Sequence, residues 1–500
     1  MNRTLSFYVT LFLHSLWLTA AVSVAADRPN VLFLAVDDLR PEFGAYGANH
    51  VHSPNLDRIA ARGVTFLKAY CQQAVCSPSR SSLLTGTRPD TTKVWDLDTH
   101  FRTALPDVVT LPQLFRENGY FVQGMGKLYH GGFDDPSSWS VPWQSPKSTH
   151  GTYGLPENNA MVKAQQQENR KAPKPSRGKL RARGPAFESS DVSDNTFHDG
   201  ALADMAVEAL RECAERDEPF WLGVGFIRPH LPFVAPKKYW DLYDPEKISL
   251  APNPFLPKGA PPYAITSGGE LRNYHGIPQG DIPDDLARQL KHGYYAAISY
   301  MDAQVGRVLD ELDRLKLAEN TIIVLWGDHG WKLGEHASWC KHTNVENDTN
   351  APLMIAVPGM KSAGSRTQSL AEFVDIYPTL VELCQLPTPS HLEGISLVPV
   401  LSNPKTAVKS AAFSQYPRSS GKLQLMGYSM RTDRYRLTRW LHRKDHSQAD
   451  AVELYDLQQD PQENVNVADD PANAALLKQL TQQHSAGWRG AVLKQADVTR

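Results

Sequence analysis

The sequence predicts an α/β fold in which a large, mostly parallel sheet is sandwiched by helices and followed by a smaller C-terminal antiparallel sheet plus helix. Three observations predict it. Continuous apolar runs alternate with helical patterns up to about residue 408. Several of these runs stop abruptly at polar or acidic residues, and from Lys409 the texture changes to short β-like stretches. A chain of 500 residues, 41% hydrophobic, suffices for one large core and a second, smaller one, because single cores stop growing at about 250–300 residues.

Taken in order, Met1-Asn2-Arg3, an apolar run over 5–21 and the small residues up to Ala25 and Ala26 read as a secretory signal over 1–26. The expected mature protein is therefore exported to a periplasmic, extracellular or lysosome-like compartment, with no stable membrane insertion, since no other run is long enough to span a bilayer. Residues 27–408 are expected to form the catalytic domain and 409–500 a small α+β subdomain. The run Asn30–Val36 has the composition of a strand buried on both faces and ends at Asp37-Asp38. Comparable runs cover 120–125, 220–226, 321–326 and 352–357, and helical patterns cover 201–216 and 285–315. Ligands of such sheets bind beyond the carboxyl ends of the strands, which singles out Asp37, Asp38, Asp328 and His329. The C-terminal strands are expected at 411–416, 424–431, 435–440 and 452–455, with a helix near 472–485.

Net charge is -2, from 52 basic and 54 acidic residues. No overall field draws the chain to nucleic acid or anionic lipid, so any anion recognition is local. Residues 150–195 are rich in Lys, Arg, Gln, Pro and Ser, with the basic cluster Lys171, Lys174, Arg177, Lys179, Arg181 and Arg183. The segment reads as a mobile solvated loop rather than a polyanion-binding strip. The cysteines, Cys71, Cys76, Cys213, Cys340 and Cys384, are odd in number, so at least one lies outside any internal pairing.

The most specific motif is Cys76-Ser77-Pro78-Ser79-Arg80, continued to Leu84-Thr85-Gly86. Pro78 suits the first turn of a helix and Gly86 its end, which puts Cys76 just before a helix N-terminus, where anions collect. Arg80, four residues on, falls on the same face. A cysteine there is either a thiolate nucleophile or an inert buried residue. Asp37-Asp38 alone would read as a turn or helix cap.

Cys-x-Pro-x-Arg followed by Leu-Thr-Gly resembles the signature of the type I sulfatases of the alkaline phosphatase superfamily. Asp37-Asp38-Leu39-Arg40-Pro41, Gly126-Lys127-Leu128-Tyr129-His130, Arg228-Pro229-His230, Gly327-Asp328-His329-Gly330-Trp331, Leu333-Gly334-Glu335-His336 and Ser414-Gln415-Tyr416-Pro417-Arg418 are similar, in order, to its iduronate-2-sulfatase branch. The resemblance implies an alkaline phosphatase-like fold and oxidation of Cys76 to Cα-formylglycine by a formylglycine-generating maturation enzyme. In that chemistry one hydroxyl of the hydrated aldehyde attacks sulfur, and deprotonation of the second expels sulfate by C–O cleavage. It further implies Ca2+ held by Asp37, Asp38, Asp328, His329 and an oxygen of the modified Cys76, an oxygen-rich set suited to a hard cation. His329 stands where many sulfatases have Asn.

By the same resemblance Arg80 and Lys127 hold the hydrate, and His130 is the candidate base for the elimination. His230 and Lys341 bind sulfate oxygens, one of them protonating the leaving sugar oxygen, and which one stays open. Trp331 and His336 are candidates for lining the pocket, with packing an equal alternative. Arg418 and Arg431 are candidate partners for a substrate carboxylate, Arg431 reading better as an ion-paired strand residue, and Trp95 and His100 are rim candidates. The expected substrate is a sulfated glycan, and the expected activity an exo-acting 2-O-sulfatase on iduronate or another uronate. The alternatives are a sulfatase for another sulfated polysaccharide, a phosphodiester or phosphonate hydrolase of the same superfamily, and a non-catalytic secreted glycan-binding protein in which Cys76 is never oxidised.

Overall fold

In the computed structural model residues 28–146, 152–171, 182–266, 269–420 and 423–494 are described. Residues 1–26, expected to be a signal segment, and the basic residues Lys174, Arg177, Lys179 and Arg181 lie outside them. The catalytic sheet is built from β1 (Asn30–Val36), β2 (Val64–Tyr70), β3 (Phe121–Gly126), β5 (Phe220–Phe226), β7 (Thr321–Gly327), β8 (Leu353–Ala356) and β9 (Ser365–Glu372), with β4 (Phe187–Ser190) and β6 (Phe233–Pro236) paired apart. Its strand order is β3-β5-β1-β7-β8-β2-β9. Every pairing is parallel except those of β8, which runs against both β7 and β2.

β1 lies inside the sheet, between β5 and β7, because neither of its faces is polar. Leu32, Leu34 and Val36 pack on one side with Leu290, Ile298 and Val305 of the helix Asp284–Arg314. Val31, Phe33 and Ala35 pack on the other with Leu83, Phe115 and Leu380. All six side chains are fully buried, each Val, Leu or Phe contributing roughly 1.5–3 kcal/mol. The C-terminal sheet is β10 (Ala412–Ser420), β11 (Leu423–Arg431), β12 (Tyr435–His442) and β13 (Asp445–Asp456), antiparallel in sequence order, with the helix Ala474–Ala491 against it. Met430, Leu437, Leu454 and Leu480 form its own small core.

Buried ions join the two sheets. Glu346 pairs with Arg431 and Arg436, and Glu372 with Arg88 and Lys409. The ion-pair reading of Arg431 is thus the observed one, 3.1 Å from Glu346.

Three expectations are corrected. Residues 150–195 are not one solvated loop: they contain the helix Pro156–Lys171 and β4. That helix buries no residue, so it carries no apolar stripe to read. It forms because Pro156 opens it, its interior is rich in Ala, Gln, Glu and Lys, and Glu188 accepts from the Gly154 and Leu155 N–H groups and from Asn158 at its start. Second, Cys76 is the first residue of its helix, Cys76–Thr85, rather than the residue before it; Val75 is the cap. Third, β2 and β9 were not among the expected strands. β9 is an edge strand whose first half is polar and partly exposed. All five cysteines are unpaired and buried. No described helix is long and apolar enough to cross a membrane.

Candidate active site

Four adjacent parallel strands deliver the site. Val36 of β1 stands opposite Gly327 of β7 and Phe226 of β5, so Asp37 and Asp38 emerge beside Asp328 and His329. Asp38 takes a left-handed backbone (φ 58) that turns the chain sharply there. Lys127 directly follows β3, and β5 leads into Arg228-Pro229-His230. The helix Cys76–Thr85 meets them from above, anchored by Ser79, whose hydroxyl donates to the Asp328 carbonyl at 2.5 Å.

The side chains converge in two overlapping groups, Asp37 with Asp38, Cys76 and His230, and Asp37 with Cys76, Asp328 and His329; within each the donor atoms lie within 4.8 Å of one another. His329 Nε2 is 3.3 Å from both Cys76 Sγ and Asp38 Oδ1, and 3.5 Å from Asp328 Oδ1. Its Nδ1 is 2.9 Å from the Gly330 carbonyl. A carbonyl only accepts, so Nδ1 carries a proton, and Nε2 is the ring atom turned to the cluster. Three buried carboxylates and one imidazole nitrogen around Cys76 are a donor set that fits a hard divalent cation.

Cations ring the carboxylates. Arg80 donates from Nε to Asp328 (2.9 Å), from Nη2 to Asp37 (3.3 Å) and from Nη1 to the Leu128 carbonyl (3.1 Å). Lys127 pairs with Asp37 and lies 3.8 Å from Cys76 Sγ. Lys341 is 3.0 Å from both Asp38 oxygens and stacks over Trp331 at 4.8 Å. His230 Nε2 is 3.8 Å from Asp38 and 4.0 Å from Asp37. Burial opposes ionisation of Asp37, but Lys127, His230 and Arg80 outweigh it and hold its carboxyl well below the usual range. Asp38 goes the other way, raised by burial despite Lys341. Burial, then Asp37, pushes the Cys76 thiol well up, the direction that disfavours a thiolate.

His130 makes no hydrogen bond through its ring among the described residues, and its buried Nδ1 is unpaired. Burial and Lys127 press its pKa down to about 3, so the imidazole is neutral. The ring of Phe133 lies between those of His130 and His100, with centroids 6.1 and 5.7 Å away. Arg418 is held by the carbonyls of Tyr263, Ala264 and His342, rests on Tyr416 and Trp440, and has no carboxylate within ion-pair distance among the described residues. Trp95 instead donates to Asp90 and stacks with Lys93 and Arg443. His336 is fully buried outside the two groups.

Sequence reasoning missed Glu270. Its carboxylate bridges His230 (3.1 Å) and Lys341 (2.7 Å), and these two cations hold it well below its ordinary pKa against burial. It sits in a Gly- and Pro-rich stretch with no motif around it.

The sulfatase family model matches residues 29–386, and a model of the N-sulphoglucosamine sulphohydrolase C-terminal region matches residues 334–487. The chain belongs to the sulfatase family. As a sulfatase it is a sulfuric ester hydrolase. It is 36% identical to iduronate 2-sulfatase of Mus musculus, over 96% of this chain and 98% of the relative. It is 31% identical to a sulfatase of Formosa agariphila, over 93% and 89%. Among solved structures, one in complex with its substrate D-glucosamine-2-N,6-O-disulfate superposes with TM-score 0.72 at 22% identity, over 93% of this chain and 98% of that one. A 2-O GAG sulfatase follows with TM-score 0.67 at 23% identity, over 92% of each chain. A phosphonate monoester hydrolase of Agrobacterium radiobacter reaches 0.70 at 23%, over 92% and 95%. At these identities the structures speak for the fold alone.

Proposed function

We propose that this sulfatase removes sulfate from a sulfated glycan as an exo-acting 2-O-sulfatase on a uronate residue, iduronate above all, with Cys76 matured to formylglycine and Ca2+ held by Asp37, Asp38, Asp328, His329 and residue 76. The observation that carries it is the position of Cys76: at a helix N-terminus, 3.3 Å from His329 Nε2, among three carboxylates and the cations Arg80, Lys127 and Lys341. The 36% identity to an iduronate 2-sulfatase over nearly the whole chain supports the uronate. So does Arg418, a cation beside Lys341-His342 that has no carboxylate within ion-pair distance among the described residues.

When present, formylglycine supplies a nucleophilic oxygen with a second hydroxyl for regeneration, and the cation supplies charge neutralisation at the sulfate. The protein's own groups do the rest. Arg80 braces Asp37 and Asp328, fixing the donor set. Lys127 keeps its ammonium against residue 76 and neutralises charge there. His230 and Lys341, tied together by Glu270, face the sulfate oxygens, and one of them delivers a proton to the departing sugar oxygen. His130 offers its unpaired Nδ1 as the acceptor that resets the site, and a sulfate beside it raises its basicity.

Residues 27–408 would carry this chemistry and 409–500 the far side of the pocket, after export and loss of 1–26. A formylglycine-generating enzyme would be the maturation partner. The test is mass analysis of the Cys76 peptide, paired with sulfate release from sulfated disaccharides of defined linkage. Formyl at residue 76 and release from 2-sulfated uronates are expected, with kcat/KM falling about a thousandfold or more in Cys76→Ala. Full turnover in Cys76→Ala overturns the nucleophile, and activity confined to non-uronate sugars overturns the specificity.

A further inference from the structure

A cavity of about 790 Å3 lies on the other side of the chain segment that follows Asp38, and none of the clustered site residues lines it. Tyr294 is the partition: its hydroxyl donates to the Asp38 carbonyl at 2.7 Å and accepts from the Arg40 N–H at 3.0 Å. Next to Tyr294 on the same helix, Lys291 and Tyr295 face the cavity.

The charges there are unevenly matched. Of the four carboxylates that line the cavity, Arg40 engages two, Glu42 at 3.0 Å and Glu335 at 2.9 Å, while Asp244 pairs with Lys247 and Glu346 with Arg431 and Arg436. Tyr295 and His50 add hydrogen bonds to Glu42 at 2.8 and 3.1 Å. Lys291 is only 6% exposed, yet its ammonium makes no hydrogen bond or ion pair among the described residues; the ring of Tyr295 is 5.9 Å away. Burial lowers its pKa, a cost that an anion beside it would relieve. A second polar atom of the lining is unmatched: Asn253, 1% exposed, has its Oδ1 without a hydrogen-bond partner among the described residues. Between them Tyr243 and Tyr295 present two aromatic faces, centroids 5.9 Å apart and tilted by 40°.

One ammonium without an ion-pair partner, one amide acceptor and two aromatic faces in a cavity of disaccharide size match a sugar ring with a single anionic substituent. A di- or triphosphate would need more than one uncompensated cation. We propose that this cavity is a second saccharide site, taking a sulfated or carboxylated sugar unit with its anion on Lys291. The identity of the sugar rests on the glycan reading given above.

The experiment counts sites. Cys76→Ala protein, which leaves the probe intact, is titrated by calorimetry and NMR with a 2-O-sulfated, uronate-containing disaccharide. Two equivalents are expected per chain, one equivalent after adding Lys291→Met, and two again with Lys291→Arg. The desulfated disaccharide separates the anions: one Lys291-dependent equivalent assigns the carboxylate, and none assigns the sulfate. A count that does not change between Cys76→Ala and the folded Lys291→Met double variant overturns the site, as does a single equivalent in Cys76→Ala that Lys291→Met leaves in place. A single equivalent abolished by Lys291→Met upholds the cavity and overturns the glycan reading of the catalytic site.

Discussion

His130 is a neutral imidazole with an unpaired buried nitrogen beside Lys127, and that arrangement makes its proposed role separable from the first bond-breaking step. In His130→Ala the alcohol half of the substrate should still leave once per enzyme. Rapid-mixing kinetics on a chromogenic sulfate ester should therefore show a burst near one equivalent, then steady turnover slower by about 10²–10⁴-fold. A uniformly slow trace without a burst would assign His130 to the first step instead. Glu270 makes a different prediction. Glu270→Gln keeps the shape but removes the charge between His230 and Lys341, and kcat/KM on the same ester should fall about ten- to a hundredfold, a loss of roughly 1.5–3 kcal/mol expected for a charged hydrogen bond. No periodicity or motif marked Glu270, because its meaning lies wholly in two partners distant in sequence. Asp37 and Asp38 were legible for the opposite reason: they interrupt an apolar run, and the interruption is itself the signal.

Elements differ in legibility according to what they bury. β1 could be read from composition because both faces lie in the core. β9 could not, since its outer half is polar and its pairing with β2 is a long-range event. The reversed direction of β8 was equally hidden, because four apolar residues carry no record of which way they run. The helix Pro156–Lys171 escaped because an element without a buried face has no periodicity to find. Close packing between elements sets a further expectation. Gly225 of β5 has room for no side chain: a Cβ there would collide with the backbone of Lys127, which directly follows β3. Gly225→Ala should cost about 1–3 kcal/mol in urea unfolding and displace Lys127 from Asp37 and residue 76, lowering kcat well beyond what the stability change explains.

For the whole molecule, the junction between the two sheets should decide acid tolerance. Burial opposes ionisation of Glu346, but Arg431 and Arg436 overcome it and bring its pKa from 4.5 to about 2. The depressed carboxyl stabilises the fold fully above about pH 4.5, and the contribution, roughly 3 kcal/mol, is lost as pH falls toward 2. Urea midpoints measured between pH 7 and 3 should decline below pH 4.5, and Glu346→Gln should flatten that decline. At neutral pH, Ca2+ at a hundred times its dissociation constant should stabilise the protein by about 2.7 kcal/mol, seen as a rise in Tm that a chelator reverses. Neutralising Asp37→Asn should abolish the rise. Last, Cys76 is 3% exposed at the centre of all this. No enzyme can grasp a residue so enclosed, so the proposed conversion would have to happen early, while the nascent polypeptide is still an open thread. Protein that has already folded with its thiol intact has missed its only appointment, and adding the maturation enzyme afterwards should rescue nothing unless the chain is first unfolded.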